Sequence, residues 1–149
     1  MAARENRGEG HVARGAQRAP ADAWLMGLLA WMVPGAGHLL QGQWGRGLLL
    51  GGAVWVMFVF GLLVGGHLFG LGGREEGFAA LLQVPPTIAN LGTGLLYLVC
   101  WVTNSGFVDS AEQAKRATFE YGNTFLLVAG LLNYLSMLDA FDIRAGRKP

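Results

Sequence analysis

Leu48-Leu49-Leu50-Gly51-Gly52-Ala53-Val54-Trp55-Val56-Met57-Phe58-Val59-Phe60-Gly61-Leu62-Leu63-Val64-Gly65-Gly66-His67-Leu68-Phe69-Gly70 is an unbroken apolar stretch in which His67 alone is polar. A helix of about 20 such residues matches the thickness of a bilayer core, and a helix that is apolar all round cannot be the amphipathic helix of a soluble domain. The stretch therefore predicts a membrane-spanning helix over 48–70.

The rest of the 149 residues supports that reading. Only 14% are charged and 52% are hydrophobic, with 24 glycines and a net charge of +1, and the mean hydropathy is +0.37. A soluble chain carries roughly 25% charged residues, so lipid is the expected solvent for much of this surface. The balanced charge supplies no field for nucleic acid, which is excluded as a partner. A single cysteine, Cys100, allows no intrachain disulfide or CxxC pair. Nine Arg against two Lys point to a GC-rich bacterial genome.

The charges themselves leave four uncharged windows of 23, 27, 32 and 18 residues, bounded by Asp22, Arg46, Arg74, Glu76, Asp109, Glu120 and Asp139. They predict an all-α polytopic membrane protein of about four transmembrane helices, with spans near 23–41, 48–70, 86–104 and 123–141. Pro86 is read as the first turn of the third span, where the missing N–H costs nothing. Asn123 is read as the N-cap of the fourth. The first span contains Pro34-Gly35-Ala36-Gly37 and is expected to be a broken, Gly/Pro-rich hairpin. A signal peptide or a re-entrant segment are the other readings of that window.

With four spans the tail, Arg74 and the C-terminus share one side and carry eight basic residues against three, which predicts cytoplasmic termini in a bacterial inner membrane. A re-entrant first segment would make the division seven against four. Residues 1–21 are expected to form a disordered cytoplasmic tail, 22–143 the membrane helical domain, and 144–149 a basic stub. Asp109-Ser110-Ala111-Glu112 resembles a capping box, predicting a short interfacial helix that continues through Gln113 to Phe119.

Three groups of residues carry whatever chemistry is present. In the hairpin, Gly35, Gly37, His38, Gly42, Trp44 and Arg46 read first as a structural turn at the membrane surface, and alternatively as an anion or lipid-phosphate site. His67 and Asp139 form a candidate intramembrane polar pair near the cytoplasmic face. His38 is placed near the outer surface, while His67 sits about 19 residues along the second helix, roughly 28 Å deeper, so the two cannot share a metal. Between His67 and Asp139 a structural hydrogen bond is favoured over a proton relay. Asn133, Ser136, Asp139 and Asp142 recur at i, i+3 and make a polar stripe that should face other helices. Asp139 and Asp142 lie at a helix C-terminus, where the macrodipole disfavours anions, so Arg74, Arg144 and Arg147 are expected to pair with them. Arg46 is paired provisionally with Glu120. Four GxxxG pairs occur, but the glycine content alone yields roughly that number, so they specify no dimer.

The string Pro34-Gly35-Ala36-Gly37-His38 through Gly47 resembles the PGxGH type of hairpin and is distantly similar to the two-transmembrane domain. The stretch Glu120 to Leu127, continuing through Asn133 and Asp139 to Lys148, resembles an uncharacterised bacterial family of integral membrane proteins, a domain of unknown function. That likeness covers roughly residues 23–148 and implies membrane location and a shared design, with no activity attached. No hydrolase, metalloprotease or nucleotide-binding motif occurs, so no catalytic or metal residue and no cofactor is expected. The expected role is a non-catalytic subunit, assembly factor or scaffold, with the bilayer and other membrane subunits, or a second copy, as partners. The alternative is a transporter-like or lipid-handling protein with a polar site near His67 and Asp139.

Overall fold

The computed structural model describes residues 21–70, 77–107 and 111–148. The tail at residues 1–20, Arg74 and the Asp109-Ser110 start of the capping box lie outside them. All regular structure among the described residues is helical: α1 (Ala21–Met32), α2 (Ala36–Leu40), α3 (Trp44–Leu63), α4 (Phe78–Leu91), α5 (Leu95–Val102), α6 (Ala111–Ala114) and α7 (Phe119–Arg144).

Among the described residues two helices, α3 and α7, are long and apolar enough to cross a membrane, where four were expected. The other two windows each divide into a pair of shorter helices. Pro34 stops α1, and Gly35, in the left-handed region at φ 85°, precedes the first residue of α2. Gly94, at φ 60°, does the same between α4 and α5. A residue with a Cβ is strained in that region, so both reversals sit where glycine permits them. Pro85 and Pro86 lie inside α4 and do not begin a span. α7 starts four residues earlier than expected, and Asn123 lies within it.

The course of the first pair reorders everything after it. Asp22 of α1 meets Arg144 at the C-terminal end of α7. Gly27 faces Phe141 and Met137, and the Trp31 carbonyl accepts from Asn133 at 2.9 Å. α1 thus runs antiparallel to α7 for about half the depth of a bilayer, since 12 residues rise roughly 18 Å. α2 then returns: Gly37 faces Ala140 and His38 reaches Asp139. The first window is therefore a helical hairpin that doubles back, and α3 starts at the end where α1 began.

From there α3 runs antiparallel to α7 along its whole length. Gly61 approaches Leu126 and Gly122, and Gly66 lies on Gly122. Thr118 before α7 donates to the Val64 carbonyl at 2.9 Å, closing the far end. In the second pair, the turn before α5 touches Trp31 and Met32 through Gly94. Beyond α5, Gly106 packs on Leu62 and Leu68, and its carbonyl accepts from the Leu68 N–H at 2.7 Å. α5 therefore leads from mid-height to the far end. Each half thus has a pair of shorter helices joined at a glycine ahead of its long helix, with α6 between α5 and α7 in the second.

Each long helix receives the turn of its own half at a glycine. A Cβ on Gly51 of α3 would stand 2.6 Å from the Pro34 carbonyl oxygen, and one on Gly130 of α7 would overlap the Ala89 carbonyl outright. Between them Val54, Phe58, Leu68, Leu96, Tyr97, Cys100, Leu126 and Ala129 form the buried core. Gly52, next to Gly51, faces open space. We expect Gly51→Ala and Gly130→Ala each to cost about 1–3 kcal/mol, as overpacking does, and Gly52→Ala to leave stability unchanged or slightly raised. Thermal unfolding of the three variants in detergent measures the difference.

Candidate functional site

Two polar clusters emerge, one at the end of the bundle where α1 starts and one at mid-height. In the first, His38 is fully buried, and its Nε2 lies 3.0 Å from Asp139 Oδ2. An ionised carboxylate only accepts, so Nε2 carries the proton and donates. Lys148 Nζ donates to the other carboxylate oxygen, Oδ1, at 2.7 Å. That hydrogen bond, with the attraction of the Asp139 charge, holds the Lys148 ammonium pKa above its ordinary value. The ammonium is thus charged at neutral pH, and the stabilisation it draws from the bond is lost only as pH rises through that raised value. Gln41 completes the joint by donating from Nε2 to the Gly37 carbonyl at 2.9 Å and the Ala140 carbonyl at 3.0 Å.

Around this centre the remaining charges pair off. Asp142 meets Arg147 at 3.3 Å, Arg147 lies over the Phe141 ring, and Arg144 meets Asp22. These cations offset anions that the α7 macrodipole disfavours at its C-terminus. Lys148 takes the place at Asp139 that was expected to go to an arginine.

The expected pair of His67 and Asp139 is not formed. His67 lies at the opposite end, where its backbone N–H donates to Asn123 Oδ1 at 2.7 Å and its ring stands edge-on to Phe69. The physical reason is the doubled-back hairpin: because α2 returns to its starting side, His38 comes to the C-terminal end of α7 and His67 is carried away from it. The same reversal separates Arg46 from Glu120. Arg46 lies near Lys148, whose pKa its charge opposes, and donates to Gln43 at 3.3 Å.

The six residues of the proposed anion hairpin do not converge. Gly35 is at mid-height against Gly47 and Gly51, Gly37 is wedged between Ala30 and Ala140, and His38 is buried with Asp139. Gly42, Trp44 and Arg46 are exposed at the end. The N–H of Gly42 donates to the Leu39 carbonyl, and those of Gln41 and Gln43 donate to the His38 carbonyl. An anion cradle needs free N–H groups, and these three are engaged.

The mid-height cluster lies where the two glycine reversals meet. Asn133 of α7 donates both amide hydrogens, to the Trp31 carbonyl at 2.9 Å and the Gly92 carbonyl at 2.8 Å. The Trp31 indole donates to the Leu91 carbonyl at 3.0 Å, the Tyr134 hydroxyl to that of Ile88 at 2.9 Å, and the Thr93 hydroxyl to that of Asn90 at 2.8 Å. The Trp31 and Gly92 carbonyls lie at the ends of α1 and α4 and take their donors from Asn133, while those of Ile88, Asn90 and Leu91 also accept from the N–H groups of Gly92, Thr93 and Gly94. Of the polar stripe, Asn133 and Ser136 belong here, while Asp139 and Asp142 belong to the charged end. Trp31 and Asn90 escaped the sequence reading, although Asn90-Leu91-Gly92-Thr93-Gly94 is a polar, glycine-bounded interruption in an apolar window.

We expect Asn133→Leu to leave two buried carbonyls unpaired and to lower stability by about 2–5 kcal/mol, given roughly 1–3 kcal/mol for each such group. Asp139→Asn, which weakens the bonds to His38 and Lys148, is expected to cost about 1–3 kcal/mol. Lys148→Ala, at an exposed position, should change stability little. Denaturation in detergent ranks the three, and equal losses for Asp139→Asn and Lys148→Ala would count against the buried His38 bond as the main contribution.

Comparison with known proteins adds one finding. Residues 25–149 match the family described as "Family of unknown function (DUF6677)". Neither a curated protein nor a solved structure matches the chain.

Proposed function

Because the chain belongs to that family, whose description names no activity, we propose its role from the geometry: an integral membrane protein, crossing the bilayer through α3 and α7, that serves as a non-catalytic subunit, assembly factor or scaffold. One observation carries this reading. The interior is filled by glycine contacts, a small apolar core and polar groups, whereas large apolar side chains cover the outside of the long helices. Leu63 is 78% exposed, Val102 77%, Leu49 74% and Leu135 64%. Such a surface needs lipid or another apolar protein surface against it.

In this reading residues 22–143 form the membrane unit. Trp24 and Trp44, both exposed, lie toward the end that holds Arg46, Arg144, Arg147 and Lys148, where indole rings suit the head-group region. Four of the six described basic residues belong to that end, and the segment leading into α1 carries four arginines more. The excess supports a cytoplasmic position for that end and for both termini. Nine Arg against two Lys favour a bacterial inner membrane as the setting. A transporter-like cavity between His67 and Asp139 has no geometric support, since the two residues belong to opposite ends of the bundle.

Affinity purification of the tagged full chain in mild detergent, with identification of co-purifying chains, tests the role. A stoichiometric membrane partner, or a stable self-assembly, is expected; recovery of a lone monomer from native membranes would overturn it. Topology is checked separately with single cysteines introduced into a Cys100→Ala background. Trp44→Cys and Lys148→Cys should label from the cytoplasmic side and Lys115→Cys from the other. Labelling of positions 44 and 148 from opposite sides would refute the re-entrant hairpin.

A further inference from the structure

The mid-height cluster holds more polar capacity than its own hydrogen bonds use. Asn90 is 0% exposed, with both its Oδ1 and Nδ2 unpartnered. Asn133 is equally buried, and because its amide nitrogen is committed to two carbonyls, its Oδ1 points elsewhere and lacks a donor. Ser136, 2% exposed, has an unpartnered Oγ. Burying such groups without partners costs free energy that a stable core rarely tolerates.

These residues belong to one neighbourhood. Asn133 and Ser136 share a face of α7 one turn apart, about 5–6 Å between Cβ atoms. Asn133 is tied to the Gly92 carbonyl, and Asn90 opens that same turn, its own carbonyl held by the Thr93 hydroxyl.

The unmet groups also define what would satisfy them. Two carboxamide oxygens ask for donors, the Asn90 amide nitrogen asks for an acceptor, and the serine hydroxyl serves as either. A bare cation would be repelled by the Asn90 amide hydrogens and an anion by the two carboxamide oxygens. The formal charges closest along α7 are at Asp139 and beyond, and Asp139 is already engaged by His38 and Lys148. What fits is a small uncharged molecule that both donates and accepts. A buried water makes about three hydrogen bonds, and four unmet atoms are enough for one or two waters.

We propose that Asn90, Asn133 and Ser136 form a hydration site between the two glycine reversals, where bound water joins the α4–α5 turn to α7. The site is independent of the subunit role. It explains why a carboxamide stands at position 90, where an apolar side chain of similar size would otherwise fill the space.

Water-edited solid-state NMR on the full chain in lipid bilayers tests it. Magnetisation from water is expected to reach the Asn90 side-chain amide early, alongside the exposed Trp44 indole. Ser136→Ala, which removes a partner without adding bulk, should weaken that transfer. Asn90→Leu should abolish early transfer to the Asn133 side-chain amide while α3 and α7 backbone shifts persist. Transfer that reaches Trp44 but not Asn90, or that is unchanged at Asn133 in Asn90→Leu, would overturn the proposal. If Asn90→Leu does not fold, the wild-type and Ser136→Ala spectra decide the matter.

Discussion

The architecture depends on one fork: the Asn133 carboxamide, donating one hydrogen to the Trp31 carbonyl and the other to the Gly92 carbonyl. A helix that stops within an apolar medium leaves its last carbonyls without donors, each a serious cost away from water. Two helices stop at mid-height in this chain, and both ends are served by side chains. Asn133 joins them to α7, Trp31 joins α1 to α4, and Tyr134 joins α7 to Ile88. In the proposed membrane setting, irregular backbone at such depth is tolerated only where protein or enclosed water covers it, and α7 supplies the covering surface.

Glycine makes the approach close enough for those bonds. Gly51 and Gly130 bring backbone against backbone where any side chain would intrude. The result is two long helices, α3 and α7, lying antiparallel at the centre, each preceded by a pair of shorter helices joined at a glycine. Such an arrangement separates two environments. The uncharged Asn90, Thr93, Asn133 and Ser136 are gathered at mid-height. Asp139 and Asp142 stand at the C-terminal end of α7, where His38, Lys148 and Arg147 bind them and Arg144 pairs with Asp22.

A single topological event accounts for most of the differences between sequence and structure. Counting apolar length treats each window as one crossing, and Ala23 to Gln41 is long enough to cross. Pro34 and Gly35 instead turn the chain back, so the start of α3, Arg46 and His38 change ends together. His67 is displaced to the other end by the same step. The third window divides in the same way at Gly92 to Gly94, where two glycines around Thr93 split what length alone would make one helix. The polar stripe on α7 was legible as a stripe, but its division into an uncharged half and an ionised half was not.

Composition and hydrophobic pattern alone determined that the chain is helical, that its surface is predominantly apolar, that Leu48 to Leu63 and the segment after Asn123 are long helices, and that Pro34-Gly35 breaks the first window. These properties are local, because they follow from side-chain transfer energies and from the φ angles that proline and glycine impose. Which broken helix returns and which continues was decided by tertiary structure. A turn retains its direction at mid-depth only if a partner elsewhere in the chain satisfies its carbonyls. Asn133 lies 102 residues from Trp31 and 41 from Gly92, and no local pattern announces that pairing.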